Sequence, residues 1–258
     1  MFPGLKDPAR GSRVVALTVL WVVVAAACGG KASAPRVPEG AQNVSFASSD
    51  GVQLDGKLYG RGKVGVILSH QYNSDQSSWF SFAGKLADSG YLVLTYDFRG
   101  FCPDGDAGCS SGKKDVGAAT KDLEGAIAFM RGKGADKLFL VGASMGGTAS
   151  LAETAAQPSR VNGVISLSSP ISFQGLDANL AAPGDIKTPK LFIAGKDDPA
   201  GAAAAAEVMY KKSSDMKQLL IVPTDQHGAF ILSGQAGDAG PKAEEAMLAF
   251  LDTYGSAA

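Results

Sequence analysis

A serine, two adjacent aspartates and a histidine stand at three separated places along this chain, and together they are the residue types of an acyl-transfer relay. A hydroxyl attacks, an imidazole takes its proton, and a carboxylate orients the imidazole. The serine is Ser144, in Leu138-Phe-Leu-Val-Gly-Ala-Ser-Met-Gly-Gly147. Four apolar, strand-like residues run into Gly142-Ala143-Ser144-Met145-Gly146, which fits G-x-S-x-G, and a small-residue helical segment follows. This is the strand–turn–helix context in which a serine is held on a sharp elbow at the carboxyl end of a sheet strand. So tight a turn brings backbone segments together, and a Cβ at either flanking glycine would clash. A second match, Gly108-Cys109-Ser110-Ser111-Gly112, has no apolar run before it and sits in turn chemistry rich in Gly, Asp and Pro. Ser110 therefore reads as a loop residue with nothing to fix its Oγ.

The base must be one of two histidines, His70 or His227. His227 lies in the polar segment Pro223-Thr-Asp-Gln-His-Gly228, after the last expected strand and before the final helix, on the same sheet edge as Ser144. Its plainer alternative is a surface loop histidine. His70 follows the Val64–Leu68 strand on that edge too, but precedes the serine in the chain. The acid candidates, Asp197 and Asp198, follow a strand in Leu191-Phe-Ile-Ala-Gly-Lys-Asp-Asp-Pro199; being adjacent, they cannot both face His227. Asp225, two residues before His227, reads as a turn residue.

These groups need elements to hold them. Val44–Ser48 and Val52–Tyr59 alternate in hydropathy around Ser49-Asp-Gly51, a hairpin signal. Short, continuously apolar runs follow at Val64–Leu68, Tyr91–Tyr96, Lys137–Val141, Val161–Leu167, Lys190–Ile193 and Lys217–Val222, the pattern of strands buried on both faces of a parallel sheet. Helical stretches at 77–88, 115–132, 145–157, 201–213 and 241–254 alternate with them; Leu123, Ala126, Ile127 and Met130 recur at helical spacing. The fold class is α/β, a mostly parallel sheet entered by an antiparallel hairpin, with helices on both faces. Between Ser168 and Thr188 there is room for a short flap at most, which leaves the site open. Trp79, Phe101 and Phe173 are either an apolar pocket wall or ordinary packing.

The amino terminus stands apart. Lys6, Arg10 and Arg13 precede an apolar run from Val14 to Ala27, shorter than the about 20 residues a membrane span needs, so residues 1–27 read as a cleavable export signal. Ala25-Ala-Ala-Cys28 is similar to a bacterial lipobox with alanine where leucine is usual, which implies lipidation at Cys28; ordinary cleavage after Ala27 is the alternative. Residues 28–43 then form a tether, and 44–258 the folded domain. The expected location is the bacterial cell envelope, as a membrane-anchored lipoprotein, or else periplasmic or secreted. Cys102 and Cys109 lie seven apart in one loop, a spacing that in an oxidising compartment suits a small disulfide ring. Zinc is the competing use of such a pair, but nothing nearby completes a ligand set. No metal and no cofactor is expected. A net charge of −1 offers no electrostatic argument for nucleic acid.

The order Ser144, Asp198, His227 resembles the chain order of the α/β-hydrolase superfamily, serine esterases and dienelactone-hydrolase-like proteins included. The resemblance extends over nearly the whole mature chain. Ile67-Leu-Ser-His-Gln71 looks like the family's strand ending in an H-G oxyanion loop, Tyr96-Asp-Phe-Arg-Gly100 like its D-x-R-G segment, and Gly195-Lys-Asp-Asp198 like its G-x-x-D acid motif. It implies Asp198 as the acid with Asp197 the alternative, His70 as loop-shaping, and Asp97 and Arg99 as structural. Gln71 departs from the family, which has glycine there; it either crowds the oxyanion loop or brings a side-chain amide near the substrate. The oxyanion donors implied are the backbone N–H groups of Met145 and Gln71. The expected activity is cleavage of carboxylic esters, from a small molecule or the end of a polymer. A peptidase or acyltransferase with the same three residues, or an inactive binding lipoprotein, would keep the same motifs.

Overall fold

The computed structural model describes residues 40–101, 109–178, 188–213 and 216–256. The export signal, most of the tether, Cys102 and part of the expected flap lie outside the described residues. Among the described residues there are ten strands: β1 Gln42–Ala47, β2 Gln53–Tyr59, β3 Val64–Ser69, β4 Leu92–Tyr96, β5 Lys137–Ala143, β6 Gly163–Leu167, β7 Ser172–Phe173, β8 Leu176–Asp177, β9 Lys190–Gly195 and β10 Lys217–Val222. The helices are α1 Phe80–Asp88, α2 Ala119–Gly132, α3 Met145–Ala156, α4 Ala202–Lys212 and α5 Ala239–Gly255. Eight strands form one sheet in the order β1-β2-β4-β3-β5-β6-β9-β10. β2 pairs antiparallel with both β1 and β4, and every later pairing is parallel. The small β7–β8 hairpin stands separately. The leading hairpin and the parallel body are thus as the patterning expected, except that β1 begins at Gln42, two residues inside the segment read as tether.

The continuous apolar runs work because a strand sends successive side chains to opposite faces. In β5, Leu138 and Leu140 join one core while Phe139, Val141 and Ala143 join the other. Phe192 and Ala194 of β9 divide from Leu191 and Ile193 in the same way. The first core is closed by α2, α3 and α4, through Leu123, Ala149 and Met209 among others; the second is closed by α1 and α5, through Phe80, Leu86, Met247 and Phe250. β10 is only partly buried, because it is a sheet edge with a single neighbour.

The order β4-β3-β5 positions the site. β3 leads through α1 to β4 on one side, and β4 leads through α2 to β5 on the other, so the connections part above β3 and β5. In an open parallel sheet, such a crevice beyond the carboxyl ends of the strands is where ligands bind. The registers align those ends: Ser69 pairs with Gly142, Ala143 with Leu167, and Val222 with Gly195.

Helix α3 also carries a titratable oddity. Glu153 is 1% exposed, and its Oε1 has no hydrogen-bond partner among the described residues. Burial, with Glu124 adding and Arg160 opposing, pushes its pKa up to about 7 from 4.5. The folded value lies above the unfolded one, so the native state holds the extra proton. That contribution to stability is complete below about pH 4.5 and is lost as pH rises through about 7. Glu153→Gln is expected to flatten this part of the stability profile, gaining on the wild type as pH rises; urea unfolding across that range checks it.

Candidate active site

Ser144 sits in a conformation that side chains rarely adopt, with φ 48° and ψ −114°. Its N–H donates to the Leu167 carbonyl of β6 at 2.8 Å, and α3 begins at the next residue. The strain persists because the surroundings fix it. A Cβ on Gly142 would lie 2.3 Å from the Gly146 carbonyl, and one on Gly146 would lie 2.3 Å from the Ser69 carbonyl. Both flanking glycines are therefore sterically required, as the motif implied.

The acid–imidazole pair is resolved between neighbours. Asp198 is buried and its Oδ2 lies 2.7 Å from His227 Nδ1, while its Oδ1 accepts from Ala200 N–H at 2.9 Å. Asp197 is exposed, and its backbone N–H donates to Thr224 O at 3.1 Å. Asp225 accepts from the Gln226 side chain at the surface. With Asp198 as a carboxylate, Nδ1 is the ring nitrogen that carries hydrogen, which leaves Nε2 as the imidazole's free acceptor.

Ser144 and His227 line one cavity of about 500 Å³. Gln71, Tyr72 and Asn73 from the loop after β3, Ser168, Pro170, Ile171, Ser172 and Phe173 from the segment after β6, and three alanines from the start of α4 and its approach complete the wall. Of the three aromatic candidates only Phe173 lines it. Trp79 is fully buried in the second core, and Phe101 packs edge-on against the His70 and Tyr72 rings. Tyr72, Ile171 and Ser168 were not singled out by the sequence; they share the segments flanking recognisable residues, and that adjacency was their one signal.

Gln71 neither crowds the loop after β3 nor presents its carbonyl to the cavity. Its Oε1 turns to the His227 loop and accepts from Ala229 N–H at 2.9 Å. Gly228 makes room for it, since a Cβ there would lie 2.2 Å from that oxygen. The backbone N–H groups of Gln71 and Tyr72 make no hydrogen bond among the described residues, and Met145 N–H opens the first turn of α3, where no intrahelical acceptor exists.

The other residues singled out by the sequence are structural. His70 is buried and spans its loop: Nδ1 lies 2.8 Å from Gln71 O, and Nε2 accepts from Phe98 N–H at 3.1 Å. Burial holds its pKa down to about 4, so it is neutral. Asp97, raised to about 7 by burial, accepts from the backbone and side chain of Gln76 at 2.8 and 2.6 Å. Arg99 binds Asp122 and Asp50 together. Ser110 departs from expectation: its Oγ is not free but donates to Asp97 O and accepts from Asp55 N–H at 3.0 Å, tying its loop to β2 and the end of β4. The hydroxyl of the second G-x-S-x-G is thus engaged both as donor and as acceptor. Among the described residues no group of three or more His, Cys, Asp or Glu side chains is placed to hold a metal ion.

A family model described as the alpha/beta hydrolase fold matches residues 65–183. The chain is 33% identical over 118 residues to 2-hydroxy-6-oxononadienedioate/2-hydroxy-6-oxononatrienedioate hydrolase 1 of Dechloromonas aromatica (strain RCB); the match spans 44% of this chain and 39% of that protein's length. Among solved structures it is similar to an esterase of Pyrococcus furiosus, with TM-score 0.66 and 20% identity over 83% of this chain and 92% of that one. It is also similar to a dienelactone hydrolase of Anabaena variabilis, with TM-score 0.62 and 22% identity over 80% and 96%. At such identities the likeness is one of fold.

Replacing Gln71 by leucine leaves the buried Ala229 N–H without its acceptor. The expected cost is about 1–3 kcal/mol of unfolding free energy, read from the urea midpoint at constant slope.

Proposed function

We propose, for a chain that has the α/β-hydrolase fold, that it is a serine hydrolase cleaving carboxylic esters through an acyl-enzyme. The observation that carries this reading is the cavity shared by Ser144 and His227, with Asp198 on the far side of the imidazole at 2.7 Å. In this mechanism His227 Nε2 takes the Ser144 proton as Oγ attacks the acyl carbonyl, and Asp198 stabilises the imidazolium that forms. Met145 N–H and Gln71 N–H receive the negative charge that develops on the carbonyl oxygen. The alcohol leaves with the proton from His227. Water, deprotonated by the same imidazole, then releases the acid and restores Ser144. Aspartate-nucleophile chemistry is set aside because the elbow carries serine.

The wall of Phe173, Ile171, Pro170 and alanines favours a small or terminal acyl group with an apolar part. The same reading extends to the cell: residues 1–27 export the chain, Cys28 receives a lipid anchor, and Cys102 pairs with Cys109. The last is supported by Cys109 being disulfide-bonded.

Ser144→Ala is expected to lower hydrolysis of p-nitrophenyl acetate and butyrate by about 10³-fold or more, and a fluorophosphonate probe should label Ser144. Equal rates for variant and wild type, or label at Ser110, would refute the assignment. Asp198→Asn should lose about 10³–10⁴-fold while Asp197→Asn stays near wild type. For the anchor, Cys28→Ser is expected to move the protein from the membrane to the soluble fraction, measured by fractionation of expressing bacteria.

A further inference from the structure

Ser168 carries a second strained serine beside the first. It follows β6 as Ser144 follows β5, and its φ is +49° against Ser144's +48°. Ser144 N–H donates to Leu167 O, and one strand further on Ser168 N–H donates to Ile193 O, both at 2.8 Å. Because Ala143 and Leu167 are register partners, the two serines each follow directly on the paired ends of neighbouring strands. Both line the cavity.

What differs is the hydroxyl. Ser168 is 1% exposed, and its Oγ has no hydrogen-bond partner among the described residues. Local hydroxyls otherwise find partners readily. Ser166 and Ser169 pair with each other at 2.7 Å, and Thr148 Oγ1 donates to Pro170 O at 2.7 Å. A residue that lines the cavity, with its backbone held in the left-handed region and its buried hydroxyl unpaired, calls for an explanation in what that cavity takes. A second donor points to the same chemistry. Gln71 is 3% exposed, and because its oxygen is fixed by Ala229 N–H, the other end of the amide is its NH₂, which has no acceptor among the described residues. Among the described residues no Lys, Arg, Asp or Glu lines the cavity, so what these two donors offer there is a hydrogen bond to an acceptor and not an ion pair.

We propose that the Ser168 hydroxyl binds the substrate and selects neutral acyl esters bearing an oxygen one or two bonds from the scissile carbonyl. This rests on Ser144 being the nucleophile, since it is the placement of the two serines at neighbouring strand ends in one cavity that brings that oxygen to Ser168. Replacing the hydroxyl removes a donor to the substrate and leaves the acyl-transfer residues intact.

The test compares p-nitrophenyl methoxyacetate with p-nitrophenyl butyrate, which share a leaving group and chain length and differ by oxygen for methylene. Their kcat/KM ratio is normalised to the ratio of their hydroxide hydrolysis rates. The wild type is expected to prefer the methoxyacetate. Ser168→Ala is expected to shrink that preference by about 3–10-fold, the loss on the methoxyacetate exceeding the loss on the butyrate by that factor. Ser168→Gly, which the left-handed backbone favours, should do the same and serves if the alanine variant folds poorly. An unchanged ratio in the folded variants, or an equal fall for both esters, overturns the proposal. Failure of the underlying reading is distinct: a wild-type protein that takes no fluorophosphonate label at Ser144 overturns both.

Discussion

The site depends on how closely the start of α3 approaches the ends of β3 and β5. A helix that begins one residue after a strand ends leaves no volume for side chains in the turn. Gly142 and Gly146 answer that constraint, and the Ser69 carbonyl packs where a Cβ on Gly146 would go. The contact fixes Ser144 in the left-handed region and aims the first N–H groups of α3 toward the crevice above β3 and β5. A looser turn would relieve the strain and lose the direction of the hydroxyl.

The imidazole side of the cavity is held by longer-range ties. Lys196 and Asp197 donate their N–H groups to Val222 and Thr224 carbonyls, which lace the loops after β9 and β10 together. Gln71 then joins the second of these loops to the loop after β3, through a side chain where a glycine would have supplied nothing. Asp198, buried beneath, receives both Ala200 N–H and His227 Nδ1. The three segments that meet around the cavity therefore brace one another.

Much of this was legible in the sequence because it is written in local pattern. Continuous apolar runs mark strands buried on two faces, and a run ending in G-x-S-x-G marks the elbow. The strand order was not legible, since pairing joins segments far apart. The choice of Asp198 over Asp197 came from the resemblance alone: adjacency says that only one can face His227, and which one is set by backbone direction after β9. Gln71 looked like an intruder because its partner lies 158 residues away. Ser110 is the loop residue its surroundings implied, but the ties that fix its oxygen to Asp55 and Asp97 were not visible in local pattern. Ser168 gave no sign at all, because a left-handed serine after a strand has no composition signature.

The uncharged wall of the cavity has a consequence for encounter. Among the described residues no Lys, Arg, Asp or Glu lines that wall, and the chain as a whole bears a net charge of −1. Such a site neither gathers ions nor repels them, so no field focuses a ligand toward it from a distance. Its occupancy follows local concentration and diffusion, and ionic strength is a weak lever on the rate of arrival.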